Sequence, residues 1–241
     1  MPGFKTRHED IDIVMIRERT EGEYSGIEHE IVPGVIESVK VITKEKSLRI
    51  ANYAFDYAKL SKRNKVTCVH KANIIKMADG EFLEACRTVA AKHPSIEYEE
   101  MIVDATCMNL SLNPSQFDIM VMPNLYGSII GSIITGLVGG PGVTPGASIG
   151  LKNALFEQGV RADAQSLVDS ADANPTGFLL SAAMMIRHND NPIFADIIQG
   201  AIFRTLEQKT VRTPDMGGRS TMKEYMDAII NNVRPENDAD V

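Results

Sequence analysis

Lys71 is the side chain in this sequence best placed for proton chemistry. It follows the apolar run "VTCVH" and opens "KANIIKMADG", with His70 and Asn73 beside it. A lysine at a strand end can be held against a substrate oxygen, and burial with suitable neighbours lowers its pKa toward general-acid or general-base duty. The same residue can equally be a solvated lysine. In "IDIVMIRERTEGEYSG" another apolar run ends in Arg17, Glu18, Glu21 and Tyr24. An arginine there can grip a carboxylate through two parallel hydrogen bonds, and a tyrosine can carry a proton. The alternative is a charged surface loop. "MIVDATCMN" sets Asp104 at a third strand end, a good position for a hard-metal carboxylate. A Mg²⁺ or Mn²⁺ site, however, takes more than one oxygen donor. A fourth stretch, "MPNLYGSIIGSIITGLVGGPG", reads as a strand end, a turn and a helix, and holds no acid. Ser128 and Ser132 lie one helical turn apart on it and share a face.

The elements that must position these groups follow from periodicity. "IDIVMIR" (11–17), "KVTCVH" (65–70), "IEYEEMIVD" (96–104) and "FDIMVM" (117–122) read as strands. "GIEHEIVPGVIESVKVIT" (26–43) alternates about "VPG" and predicts a hairpin arm. The stretch 44–64 is an amphipathic helix with Thr43 or Ser47 as cap, and 79–93 is a helix capped by Asp79. Helices are expected at 124–138, about 174–188, 193–208 and 220–233, with "GGPGVTPGAS" as a loop and "PENDADV" as a frayed tail. That loop could cradle an anion, or simply need unusual backbone angles. Met101, Met108, Met120, Met122, Met184 and Met185 are most simply core filler. Strands alternating with helices predict an α/β fold.

Composition excludes several classes. The 241 residues are 44% hydrophobic and 24% charged, with net charge −7 and no basic run, which disfavours a nucleic-acid partner. The longest apolar stretch, 129–138, is interrupted by Gly131, Ser132 and Gly136 and is too short to span a membrane. Cys68, Cys86 and Cys107 form neither a metal knuckle nor a disulfide framework, which points to a reducing compartment. The opening residues do not read as a targeting sequence. A strand so near the start is expected to lack neighbours unless further chain stands beside it.

Taken together, "IRERTEGEYSGIEHEIVPGVIESVKVIT", "KSLRIANYAF", "VTCVHKANIIKMADGEF", "FDIMVMPNLYG", "GLVGGPGV" and "ANPTGFLLSA" resemble the isocitrate/isopropylmalate dehydrogenase family of metal-dependent β-decarboxylating enzymes. Within it the chain is most similar to regulatory, beta- or gamma-like subunits of mitochondrial NAD-dependent isocitrate dehydrogenase. The resemblance implies that fold with the N-terminal part of the large domain missing. Residues 1–18 would be its remnant, 19–140 a small domain with a clasp hairpin and dimer-interface helices, and 141–241 the C-terminal part of the large domain. It further implies that Arg17 binds a carboxylate of isocitrate or citrate and that Tyr24 and Lys71 are the acid/base pair. Asn73 would lie near the nicotinamide ribose or substrate, Asp104 would be a metal ligand, and Asn174 would face the adenine of a nucleotide.

The sequence departs from the family's pattern at informative places. Catalytic members carry acids at the positions of Ser128 and Ser132, and two neutral hydroxyls remove most of a site's attraction for a divalent cation. The family's adenosine-cradling run His-Gly-Thr-Ala-Pro-Asp is absent after "FE", although Asp163 or Asp169 could replace some contacts. Arg19 stands where the family has Asn. In the family's shared-site geometry Lys71 and Asp104 serve the partner's active site, whereas the lost acids serve the chain's own. The expectation is therefore a regulatory subunit that completes a catalytic isocitrate dehydrogenase subunit's site, with NAD and Mg²⁺ or Mn²⁺ at the shared site, citrate or ADP as possible effectors, and a mitochondrial location. A self-sufficient dehydrogenase and a truncated assembly module are the competing readings.

Overall fold

The computed structural model describes residues 5–160 and 165–234, in two compact units: Asp10–Ile134, and a second made of the residues before Asp10 together with those from Thr135 onward. The expected tail at 235–241 lies outside the described residues.

The first unit is built on a four-stranded parallel sheet. Its strands are β1 (Val14–Arg17), β4 (Lys65–His70), β5 (Glu97–Ile102) and β6 (Ile119–Met122), in the order β1-β6-β4-β5. Ile119, Met120, Val121 and Met122 are all fully buried, which explains why β6 reads as an unbroken apolar run. β1 is an edge strand with Val14 and Met15 only half-buried.

Helices α1 (Lys44–Leu60) and α2 (Ala78–Ala90) pack on the sheet through Ala51, Ala54, Phe55, Phe82, Cys86 and Val89, all at most 1% exposed. The alanines of α1 let the helix approach closely, and Phe55 fills the space between it and the sheet. The arm is an antiparallel hairpin of β2 (Glu28–Val32) and β3 (Val35–Ser38), turning at Gly34 with φ +82°. The remaining helices are α3 (Val103–Leu112) and α4 (Asn124–Val138).

The second unit pairs β7 (Pro145–Ile149) with β8 (Ala154–Gln158) in a hairpin that packs on α5 (Thr176–His188), followed by α6 (Pro192–Gln208) and α7 (Met222–Asn231). Ser181 of α5 ties the hairpin down, donating to the Glu157 carbonyl at 2.7 Å and accepting from the Gly146 amide at 3.2 Å. Val143, Leu180, Ile202, Leu206, Tyr225 and Ile229 form the core, and a reciprocal Thr221–Glu224 capping box starts α7.

Several expectations need correction. Ser47 does not cap α1: it lies buried inside the first turn and donates to the Thr43 carbonyl at 2.8 Å. Thr43 is the N-cap residue, but its hydroxyl donates to Glu21 and makes no cap bond. Asp79 is inside α2, with Met77 at the N-cap. Residues 145–149 form β7, although the glycines and prolines there read as loop. Met120 and Met122 are core residues, but Met108, Met184 and Met185 are exposed.

Candidate functional site

The carboxyl ends of the parallel strands, where open α/β sheets bind ligands, gather most of the expected residues. Arg17 closes β1. Its Nε and Nη2 donate to Asn124 Oδ1 at 3.0 and 2.6 Å, and Asn124 Nδ2 donates to the Glu21 carbonyl at 2.7 Å. Asn124, buried at the start of α4, therefore aims Arg17 and fixes the loop after β1 together. The Arg17 chain lies across Gly127, where a Cβ would come within 2.5–2.8 Å of its aliphatic carbons. The guanidinium stacks over the exposed Tyr24 ring, 5.1 Å from its centroid.

Glu18 and Glu21 are not surface charges. Glu18 is 3% exposed and accepts from the Thr20 amide and hydroxyl and the Glu21 amide at 2.6–3.1 Å. Glu21 accepts from the Thr43 amide and hydroxyl at 2.8 and 2.9 Å. Both hold the loop in shape, which leaves Arg17 and Tyr24 as its chemical groups.

Lys71 follows β4 directly. Its Nζ pairs with Asp104 Oδ1 at 2.5 Å, with the two side chains 25% and 59% exposed. The Lys71 hydrogen bond, aided by a backbone amide, holds the Asp104 carboxyl below its usual range. Asp104 sits in the first turn of α3, slightly past the strand end where the sequence sets it. Asn73 is exposed in the turn between β4 and α2.

Sequence reasoning missed the group behind Lys71. The Lys71 amide donates to Asp79 Oδ2 at 2.7 Å, Lys40 Nζ lies 2.6 Å from Asp79 Oδ1, and the Tyr126 hydroxyl donates to Oδ2 at 2.9 Å. Burial, with the Asp79 carboxylate as hydrogen-bond partner, pushes the Tyr126 phenol well above its usual range. Lys40 and Tyr126 carried no local signal, and Asp79 was legible only as an acid near a helix start.

On α4, Ser128 is half-buried and Ser132 exposed. The Ser132 hydroxyl bonds back to the Ser128 carbonyl at 2.9 Å. Among the described residues no three His, Cys, Asp or Glu side chains gather as a metal site. Asp104, paired with an ammonium, and two hydroxyls do not make a donor set that fits a divalent cation in this chain by itself.

Asn174 belongs to the second unit. Its Oδ1 accepts from the Thr176 amide and hydroxyl at 3.0 and 2.6 Å, and its Nδ2 donates to Asp215 Oδ2 at 2.9 Å. A Cβ on Gly142 would lie 2.5 Å from that Asp215 oxygen and 3.0 Å from Asn174 Cβ, so the glycine makes room for the pair. Asp169 adopts φ +59°, and Asp163 lies outside the described residues.

A family profile described as isocitrate/isopropylmalate dehydrogenase matches residues 3–229. Isocitrate dehydrogenase [NAD] regulatory subunit 2, mitochondrial, of Arabidopsis thaliana is 54% identical over 236 residues, covering 97% of this chain and 64% of that protein. The human isocitrate dehydrogenase [NAD] subunit gamma, mitochondrial, is 51% identical over 234 residues, covering 97% and 60%. The chain thus spans under two thirds of the length of these relatives. The crystal structure of isocitrate dehydrogenase from Methylococcus capsulatus superposes with TM-score 0.91 at 41% identity, covering 97% of this chain and 70% of that one. Both the α/β architecture and the sequence match therefore establish that this chain belongs to the isocitrate/isopropylmalate dehydrogenase family.

Proposed function

We propose that this chain is a regulatory subunit of a mitochondrial NAD-dependent isocitrate dehydrogenase, noncatalytic alone, that lends Lys71 and Asp104 to a catalytic partner's site. The observation that carries the reading is an asymmetry between two parts of one unit. Lys71 and Asp104 are preformed as an accessible pair, 2.5 Å apart. The α4 positions that would supply a metal's anionic oxygens are the hydroxyls of Ser128 and Ser132. The names of the regulatory and gamma relatives support the same assignment. NAD and Mg²⁺ or Mn²⁺ belong, on this reading, to the shared site of the complex. Arg17, propped by Asn124 beside Tyr24, is suited to the carboxylates of citrate or isocitrate as an effector. Asn174 and its neighbours are the proposed contact for ADP.

The test is isocitrate-dependent NADH formation by this chain alone, by a catalytic subunit alone, and by the two mixed. No turnover is expected from this chain, and activity is expected to rise on mixing. Lys71→Ala in the mixture is expected to lower kcat by about 100-fold or more, the scale of a lost proton-transfer group. Ser128→Asp with Ser132→Asp is expected to raise Mn²⁺ affinity. Turnover by the purified chain without a partner would overturn the reading.

A further inference from the structure

We infer that Asp79 is a positioning residue: its buried carboxylate sets the backbone of Lys71 and couples it to the base of the hairpin arm and to α4. The inference rests on the reading that Lys71 serves a partner's site.

Asp79 is 0% exposed in the first turn of α2, where the positive end of the helix favours an anion. Its three donors come from three separate segments. The Lys71 amide lies just past the end of β4, where the strand ladder no longer supplies an acceptor. Lys40 follows β3; its side chain is 13% exposed and pairs with Glu23 at 3.1 Å as well as with Asp79. It also lies over the Tyr126 ring, 4.8 Å from the centroid. Tyr126 is 7% exposed on α4, two residues before Ser128.

Stability alone does not account for this choice of residues. A buried ion pair is often matched or bettered by apolar side chains of similar volume. What an apolar replacement cannot do is accept the amide of Lys71, a lysine whose Nζ must then reach a fixed place. Two oxygens divided among Lys71, Lys40 and Tyr126 make that place depend on how the arm and α4 are seated. A displacement of the serine-bearing helix would thus be felt at Lys71 through a single carboxylate. Misplacing a reacting group by about 1 Å can cost about 100-fold in rate.

The experiment uses the complex of this full chain with a catalytic subunit. Variants Asp79→Asn, Tyr126→Phe and the control Lys71→Ala are compared by kcat, by KM for isocitrate and by hydrogen exchange of the Lys71 amide. Asp79→Asn is expected to lower kcat about tenfold to 100-fold, with KM within about twofold. Tyr126→Phe, which deletes only a hydroxyl, is expected to lower kcat about threefold. Lys71 amide exchange is expected to accelerate in Asp79→Asn. An assembled Asp79→Asn complex with kcat within about twofold of wild type overturns the inference. If Asp79→Asn does not assemble, an unchanged kcat in Tyr126→Phe overturns it instead. Should Lys71→Ala leave activity intact, the lending of Lys71 fails separately, and unchanged amide exchange in Asp79→Asn then sinks the positioning role as well.

Discussion

The two ends of the parallel sheet carry comparable numbers of charges and use them in opposite ways. At the amino ends of the strands, Arg63 pairs with Asp12 and Asp118, both at 2.5 Å. Asp118 also accepts from the Asn64 and Lys65 amides at 2.9 and 3.3 Å. Lys65 meets Glu97 and Glu99 at 3.3 and 3.0 Å. These are partly exposed pairs between neighbouring segments, and they pin strand starts. At the carboxyl ends the carboxylates of Glu18, Glu21 and Asp79 are buried and accept from main-chain amides. The accessible side chains there include Lys71, Asp104, Asn73 and Tyr24. Burying the scaffolding charges is how that end keeps its chemical groups both fixed and reachable.

The comparison breaks if the two ends respond alike to losing a cation. Lys40→Met leaves the Asp79 and Glu23 carboxylates without their shared ammonium in a site where Asp79 is fully buried. A loss of about 3–5 kcal/mol is expected, the cost of an uncompensated buried charge. Arg63→Met at the opposite end is expected to lose about 1–2 kcal/mol, because Asp118 and Asp12 keep access to water. Urea unfolding of both variants decides, and equal losses would remove the distinction.

The amino end should also respond to acid. Burial alone would raise the Asp118 carboxyl, but the Arg63 guanidinium and the Asn64 and Lys65 amides outweigh it and hold the group below its usual range. A carboxyl depressed in the folded state stabilises fully above its unfolded value of about 4 and loses that contribution as pH falls through the folded value. Asp118→Asn is therefore expected to cost stability at pH 6 and to flatten the decline below about pH 4. Unfolding midpoints of the two proteins at pH 6 and pH 3 measure the difference, and parallel lines would count against the assignment.

How much of this was legible in the sequence follows the range of each interaction. The amphipathic period of α1, the apolar run of β6 and the "VPG" hairpin are local patterns, and each forms where it was read, though with shorter ends: α1 stops at Leu60, β6 starts at Ile119 and the hairpin strands span Glu28–Ser38. β7 reads as loop because glycine and proline signal turns. There, glycine serves close approach instead: a Cβ on Gly146 would lie 2.6 Å from the Gly159 backbone. Arg17, Lys71 and Asp104 were legible as groups at strand ends. What holds them was not, because Asn124 is 107 residues from Arg17, and Lys40 and Tyr126 are 39 and 47 from Asp79. Such partners leave no periodicity to read.

Two glycines of α4 sharpen the same contrast at the scale of one methyl group. Gly127 lies under Arg17, and a Cβ there would stand 2.5, 2.7 and 2.8 Å from its Cγ, Cδ and Cβ. These atoms sit near the backbone and cannot swing away, so Gly127→Ala is expected to destabilise by about 1–3 kcal/mol and to dislodge the guanidinium from Asn124. Gly136, exposed on the same helix, has no atom within 4 Å of the place a Cβ would take. There the change to alanine only narrows the unfolded ensemble and improves helix propensity, so Gly136→Ala is expected to gain about 0.5–1 kcal/mol. Opposite signs in thermal unfolding, read on the two single variants, are the expected result. A stabilising Gly127→Ala would mean that Arg17 is not held against the helix there.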